Sequence, residues 1–460
     1  MFEGISANYP REFFYALSKL QGSMSKQLIK VSPDRTTANP GNIVNFRLPI
    51  GALLNLDSLN IFFKVSTVTE KTLPARYAST FIKRLSVQIN NVSVQIIQEY
   101  NFLYNLYNDL NNKSNTKGIG GDWVDNSMLF AQATPTSTTD TVITASNAFL
   151  NATTLQDGLP FCINNFLGLL GSASTKIIST DRTGEIVISI EFAPTADVLG
   201  GVENQTVTAA ATYSIKDIYL SCEALSFSDD TYYNSIGDKD LRIGFNDYVY
   251  NSFPSGAKKS GINATCYISA GSIDHIVGTA RFSQETTPTK MIAVKTVDGA
   301  GTTSINLPTY LSNPVGNAGE GDAFYSTKNM VRSLSHMASS QFSINNKALN
   351  WGAFNRQEAF QNSLLALGYE NVDISANGLN PAIVSLLHFY KYYGAVFQSL
   401  ELIDKDSFYI SGLSSSGSSC AINWVATFTG TDNGVVVVPV IIAKLSRILN
   451  IKPGRMVYVE

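Results

Sequence analysis

The residues best suited to chemistry in this 460-residue sequence are few, beginning with three histidines at His275, His336 and His388. None has a second histidine at the spacing that sets two ring nitrogens on one helix face, so the HExxH type of zinc site is not written here. Asp274-His275 supplies half of a catalytic triad. No GxSxG elbow provides the nucleophile, and such adjacent pairs ordinarily serve as satisfied polar residues. Gly118-Ile-Gly-Gly-Asp lacks the Lys-Ser/Thr that a phosphate loop needs. Asp238-Lys-Asp240 and Asp404-Lys-Asp406 carry oxygens suited to calcium but read as solvated loops. Cys162, Cys222, Cys266 and Cys420 lie far apart with no CxxC pair, which argues against zinc and against a disulfide-dense scaffold. Cys222 and Cys420 fall in alternating strand patterns and read as buried apolar residues. Asn-x-Ser/Thr sequons begin at Asn91, Asn112, Asn151, Asn204 and Asn263, as chance allows in a chain rich in Asn and Thr. The expectation is no catalytic residue, no metal ligand and no cofactor.

Composition narrows the classes further. Apolar residues make up 44%, enough for real cores, so disorder throughout is excluded. Charged residues make up only 15%, against about 25% in a typical soluble chain. A chain so poor in charge is expected to hide much surface against partners. The formal charge of −3 leaves no basic excess for a phosphate backbone, so no specific nucleic-acid recognition is expected. No apolar run reaches the length of a membrane helix, and the N-terminus shows no secretory h-region. Both ends are locally basic, with Arg11, Lys19, Lys26, Lys30 and Arg35 at one and Lys444, Arg447, Lys452 and Arg455 at the other. They read as solvated termini or as faces toward an anionic interior.

Position must come from strands. Val44, Phe46, Leu48 and Ile50 alternate with Asn45, Arg47 and Pro49, and Leu59, Ile61, Phe63 and Val65 with Asn60, Phe62 and Lys64. Period two over such lengths predicts half-buried strands. Leu85, Val87 and Ile89 lead into Asn90-Asn91, and Val92, Val94 and Ile96 lead out, which predicts a hairpin. A helix with Leu103, Leu106, Tyr107 and Leu110 on one face is expected next. Polar insertions follow at 111–158 and 284–330, and strand signals return over Phe161 to Leu170, Ile186 to Phe192 and Ile215 to Leu225. Beyond a Ser/Asp/Gly-rich boundary come Ala264 to Ile268, Phe342 and Ile344, a helix with Phe360, Leu364 and Leu367, then Cys420 to Phe428, Val435 to Ala443 and Met456 to Val459.

One internal echo organises these signals. Strand, Ile89-Asn90-Asn91, strand, Gln98-Glu99 and helix recur in order around Ile344-Asn345-Asn346 and Gln357-Glu358. These features recurring in one order predict two copies of a single β domain, each near 200 residues, and a sandwich class that tolerates long loops. The expected division is an N-terminal arm over 1–36, a first roll over 37–228, a linker over 229–240 and a second roll over 241–460. Within the arm, Phe13, Phe14, Leu17 and Leu20 at helical spacing are the candidate interaction residues, tethering a neighbouring subunit or an underlying layer, or packing on their own domain.

The segment from Phe46 to Val65, the hairpin Phe81 to Asn91 with Gln98-Glu99-Tyr100, and the strands Gly184 to Pro194 and Ile215 to Glu223 resemble the double jelly-roll major capsid proteins of icosahedral DNA viruses. That family often has Gly-Gly in the hairpin where this chain has Asn-Asn. The resemblance implies an all-β chain of two consecutive eight-stranded jelly rolls with short helices and long insertions. It further implies a structural, non-enzymatic homotrimer that forms a pseudo-hexagonal capsomer in a virion shell. Its partners would be neighbouring capsomers, penton and minor capsid proteins, and an inner membrane or genome reached by the arm. Two other readings remain open: a glycan-binding β-sandwich adhesin or spike with exposed aromatic platforms, and, behind it, a carbohydrate-active enzyme with paired carboxylates.

Overall fold

The computed structural model describes residues 24–67, 72–73, 78–110, 159–201, 212–227, 240–282, 284, 289–290, 296–297, 303–304, 327–367, 389–390, 393–402, 411–417, 419–429 and 436–460. Among the described residues the first half has eight main strands, besides the short ones Thr72–Leu73, Ile177–Ser179 and Gly200–Gly201: β1 (Met24–Val31), β2 (Ile43–Arg47), β3 (Leu53–Thr67), β4 (Ile82–Ile89), β5 (Val92–Ile97), β6 (Leu159–Ile163), β7 (Ile186–Phe192) and β8 (Tyr213–Phe227). Helix α1 (Tyr100–Leu110) follows β5. The eight main strands form two antiparallel sheets, in the orders β1-β8-β3-β6 and β2-β7-β4-β5, with Ile177–Ser179 added beside β3. Burial follows the alternation: Ile186, Ile188, Ile190 and Phe192 of β7 point inward and the residues between them are half-buried. Phe63 packs among Phe81, Phe161 and Phe192 between the sheets.

The second half repeats this wiring. Its main strands are β9 (Leu241–Ser252), β10 (Ile262–Ile268), β11 (Ile273–Arg281), β12 (Met337–Ile344), β13 (Lys347–Ala348), β14 (Ala395–Ser399), β15 (Cys420–Phe428) and β16 (Val436–Lys452). Helix α2 (Arg356–Leu367) follows β13, and β17 (Met456–Val459) turns back on β16. The sheet orders are β9-β16-β11-β14 and β10-β15-β12-β13. Adding eight to each strand number of the first half reproduces the second. Two jelly rolls in series account for this order, and the fold is the expected all-β double jelly roll.

The repeated hairpin turns confirm the echo at backbone level. Asn90 and Asn91 have φ of 48° and 62°, and Asn345 and Asn346 have 50° and 64°. Left-handed pairs of this kind match the twist of the flanking strands, and Asn tolerates them without a glycine. In the second core, Trp424 lies over Gly278, where a Cβ would come within 2.4 Å of the indole. Its Nε1 donates to Ser340 Oγ at 2.9 Å.

Three expectations need correction. Met24–Val31, assigned above to the arm, is strand β1 and pairs with β8 from Met24↔Phe227 to Val31↔Leu220. As an edge strand it turns Lys26, Leu28 and Lys30 outward, and apolar Leu28 in that row with polar Ser25 and Gln27 in the other hid its period. The strand expected over Phe161 to Leu170 stops at Ile163, and Leu169–Ser172 is a helical turn entered through Gly168 at φ 78°. Helix α1, expected to bury one face, is buried all round from Tyr100 to Leu106, because the second roll covers the other side.

Candidate functional site at the junction of the rolls

The site is built from α1 upward. β11 runs through the middle of its sheet, and all nine of its residues are buried. Gly278 faces the core of its own roll, so the alternate residues His275, Val277, Thr279 and Arg281 face out of that roll. Two of them meet α1 of the first roll, His275 at Tyr107 and Arg281 at Phe102. Tyr107 packs against Tyr248 and Phe397 at ring distances of 5.3 and 5.9 Å, and Phe102 packs edge-on to Tyr250 at 5.8 Å. The Arg281 guanidinium sits 4.4 Å over the Phe102 ring.

An ionic network crosses this contact, with Asp197 and Arg281 buried and Lys83 and Glu99 half-buried. Lys83 reaches Glu99 at 2.7 Å and Asp197 at 3.0 Å, and Arg281 reaches Glu99 at 2.8 Å. Asp197 also accepts from Asn101 at 2.9 Å and Asn329 at 2.7 Å, while Arg281 donates to Tyr250 at 3.0 Å and to the Asn329 carbonyl at 3.1 Å. Lys83, Glu99, Asn101 and Asp197 come from the first roll, and Tyr250, Arg281 and Asn329 from the second. Burial pushes the Asp197 carboxyl up, but Lys83, Arg281 and the Asn329 amide outweigh it and hold it below the ordinary carboxylate value. Two cations and two carboxylates neutralise one another there, which is the condition for placing charge inside a protein.

A second polar seam lies beside it. Gln95 on β5 donates to Asp247 Oδ1 at 2.8 Å and to the Asn246 carbonyl at 2.9 Å, and accepts from Leu169 N at 2.7 Å. Asp247 in turn pairs with Arg447 at 3.0 Å. At the far end, the hairpin turn donates from Asn90 Nδ2 to the Arg455 carbonyl at 2.9 Å, and Arg455 Nε donates to the Asp181 carbonyl at 2.9 Å.

The residues singled out in the sequence scatter across this frame. His275 is buried and shares a 2.8 Å hydrogen bond between its Nε2 and the Tyr107 hydroxyl. Burial, helped by Lys444, drives its pKa well below the ordinary value, and burial with Tyr248 and Asp274 drives that of Tyr107 well above. Both groups are therefore neutral. Asp274 turns away to Ser272, Ser446 and Lys444, so Asp274-His275 is no catalytic pair. All four cysteines are buried, and burial lifts the thiols of Cys222 and Cys266 to about 11 and about 12. Among the described residues no group of three or more His, Cys, Asp or Glu stands at metal-binding distance. Of the basic C-terminal residues, Lys444, Arg447 and Arg455 are engaged inside the molecule. Phe13, Phe14, Leu17 and Leu20 lie outside the described residues, as do His388, residues 118–122 and Asp404-Lys-Asp406. Sequence reading missed the network because Lys83, Glu99, Asp197 and Arg281 follow no motif. The one usable signal was Gln98-Glu99 in the repeated hairpin.

No family model and no curated protein matches the chain. Solved structures do. VP54 of the virus PBCV-1, fitted into a reconstruction of the virophage Sputnik, superposes with a TM-score of 0.56 at 12% identity over 97% of this chain and 99% of that one. A quasi-atomic model of the PBCV-1 capsid gives 0.55 at 12% identity over 97% and 99%. The Faustovirus major capsid protein gives 0.53 at 10% identity over 97% and 92%. At such identities the likeness establishes the shared double jelly roll.

Proposed function

We propose that the chain is a major capsid protein whose homotrimer forms a pseudo-hexagonal tile of an icosahedral virion shell. One observation carries this reading: an end-to-end superposition on capsid proteins of a chain with two identically wired rolls locked by a buried junction. Two similar lobes per chain give six per trimer, and six similar lobes fill a hexagonal outline. Low charge suits subunits that bury wide lateral faces. The reading assigns the chain no reaction, and its work is mechanical. The rolls span 24–227 and 241–460 in this proposal, joined by a short connection. Neighbouring capsomers, penton and minor capsid proteins are its partners, and Phe13, Phe14, Leu17 and Leu20 would reach an inner membrane or the genome.

The test is to express the chain, measure its mass in solution and image it by negative stain. A trimer with threefold symmetry and a hexagonal outline is expected. A stable monomer that binds glycans would overturn the reading in favour of the adhesin.

A further inference from the structure

The junction within the chain uses one surface from each roll, and each roll also owns the surface the other one contributes. The first roll offers its hairpin and α1, and the second offers the outer face of its β9-β16-β11-β14 sheet. Because the wiring repeats, the second roll has its own hairpin and following helix, and the first has its own outer face on β1-β8-β3-β6. Within one chain nothing described seats these two remaining surfaces against each other.

Both carry apolar groups in water. Trp351, in the connection from β13 to α2, is fully exposed, and Leu365 on α2 is 43% exposed. Gln357, Glu358 and Gln361 complete the exposed helical face, with Glu358 its one charge. On the first roll's outer face Leu28 is 68% exposed. Farther along the same face Phe62 and Tyr219 stack at 4.9 Å, half-buried, with the Lys30 ammonium 3.9 Å over the Tyr219 ring. The corresponding face of the second roll is aromatic too, through Tyr248, Tyr250 and Phe397, and there α1 covers it.

We propose that α2 and the Trp351 connection of one copy seat on the Leu28–Phe62–Tyr219 face of a second copy, repeating between chains the contact that α1 makes within the chain. The contact is heterologous: each copy gives one surface and receives the other, so successive copies form a closed ring or an open filament. Closure at three copies rests on the trimeric reading above, while the identity of the two faces does not. Glu358 approaching Lys26 and Lys30 sets the charges in favourable sense. The two contacts around the ring then differ in kind. The one inside the chain is locked by buried ions, whereas the one between chains sets apolar and aromatic groups among solvent-exposed ion pairs such as Lys26–Glu223, as suits a contact made after each chain has folded.

The experiment uses paired cysteines in the full chain, whose own four thiols are buried. Leu28→Cys and Trp351→Cys are made singly and together, then treated with a short bismaleimide and run on a denaturing gel. Covalent dimers and trimers are expected from the double variant and none from either single one. Crosslinking of Trp351→Cys alone would indicate like surfaces meeting and overturn the proposal. A threefold tile that the double variant fails to crosslink would overturn these faces and leave the capsid reading standing. A monomer by mass would overturn both, and so would glycan binding that Trp351→Ala abolishes in a monomer. As a second arm, Trp351→Glu with Leu365→Glu, both on exposed side chains, is expected to drop the solution mass to one third without lowering the unfolding temperature. An unchanged mass in that variant counts against the proposal.

Discussion

Charge at the junction is costly to isolate and cheap to keep paired. Asp197 and Arg281 are almost wholly buried, at 2% and 1% exposure, and each bonds to several partners across the two rolls. Removing one member strands the others away from water, so Asp197→Ala or Arg281→Ala is expected to lower stability by about 3–5 kcal/mol in denaturant unfolding. Arg47, paired with Glu185 on the surface with its side chain 70% exposed, is the contrast, since Arg47→Ala is expected to cost under about 1 kcal/mol. Equal losses at the two sites would sink the assignment. Acid acts on the same residues. Because the folded state holds the Asp197 carboxyl below its ordinary 3.8, its contribution is complete above that pH and disappears as pH falls through the folded value. His275 works from a depressed value as well. It stays neutral in the fold while the unfolded chain takes up a proton below 6.5, so stability falls with pH from there by up to about 1.4 kcal/mol per unit. Tyr107, Phe397 and Lys444 face it and stay in place in His275→Gln, whose unfolding free energy should vary less with pH below 6.5 than the parent's.

Single positions decide whether whole elements form. The β4–β5 and β12–β13 hairpins turn on asparagines held at positive φ. Asn91→Val puts a β-branched residue into that conformation and is expected to cost about 1–2 kcal/mol, while Asn91→Gly is expected to be tolerated. A melting temperature unaffected by Asn91→Val would show that the turn is not under this constraint. In β11, Gly278→Ala drives a methyl into the Trp424 ring, and an overpacking loss of about 1–3 kcal/mol is expected from thermal unfolding. Helix α1 is the element on which both rolls depend. Its polar residues Asn101, Asn105 and Asn108 are buried and bonded, to Asp197, Thr80 and the Tyr104 carbonyl among others. They let a helix lie between two sheets without stranded amides.

For the molecule as a whole, the junction makes two rolls behave as one body. A chain with a protease site engineered into 229–240 is expected to elute at its original volume after cutting, even in high salt, since buried pairs are little screened. Halves that separate on a sizing column would refute a junction strong enough to set the angle between lobes. That angle matters under the proposed function. A lobe free to rock could not present the Trp351 connection and the Leu28 face at positions that meet the next copy.

The sequence by itself determined most of the strands and the duplication. Period-two runs such as Ile186 to Phe192 and the paired Ile-Asn-Asn turns depend on neighbours a few residues away, and local sterics and alternation suffice to read them. Strand β1 escaped because none of Ser25 to Val31 is fully buried on this edge, and its inward row opens with the polar Ser25 and Gln27 before Ile29 and Val31. The fold of Gly168 and the meeting of Lys83, Glu99, Asp197 and Arg281 were decided only in three dimensions. Arg281 lies 182 residues from Glu99, and no spacing rule links them. What joins them is the packing of one roll's helix on the other's sheet, where low solvent access makes each charge require its partners.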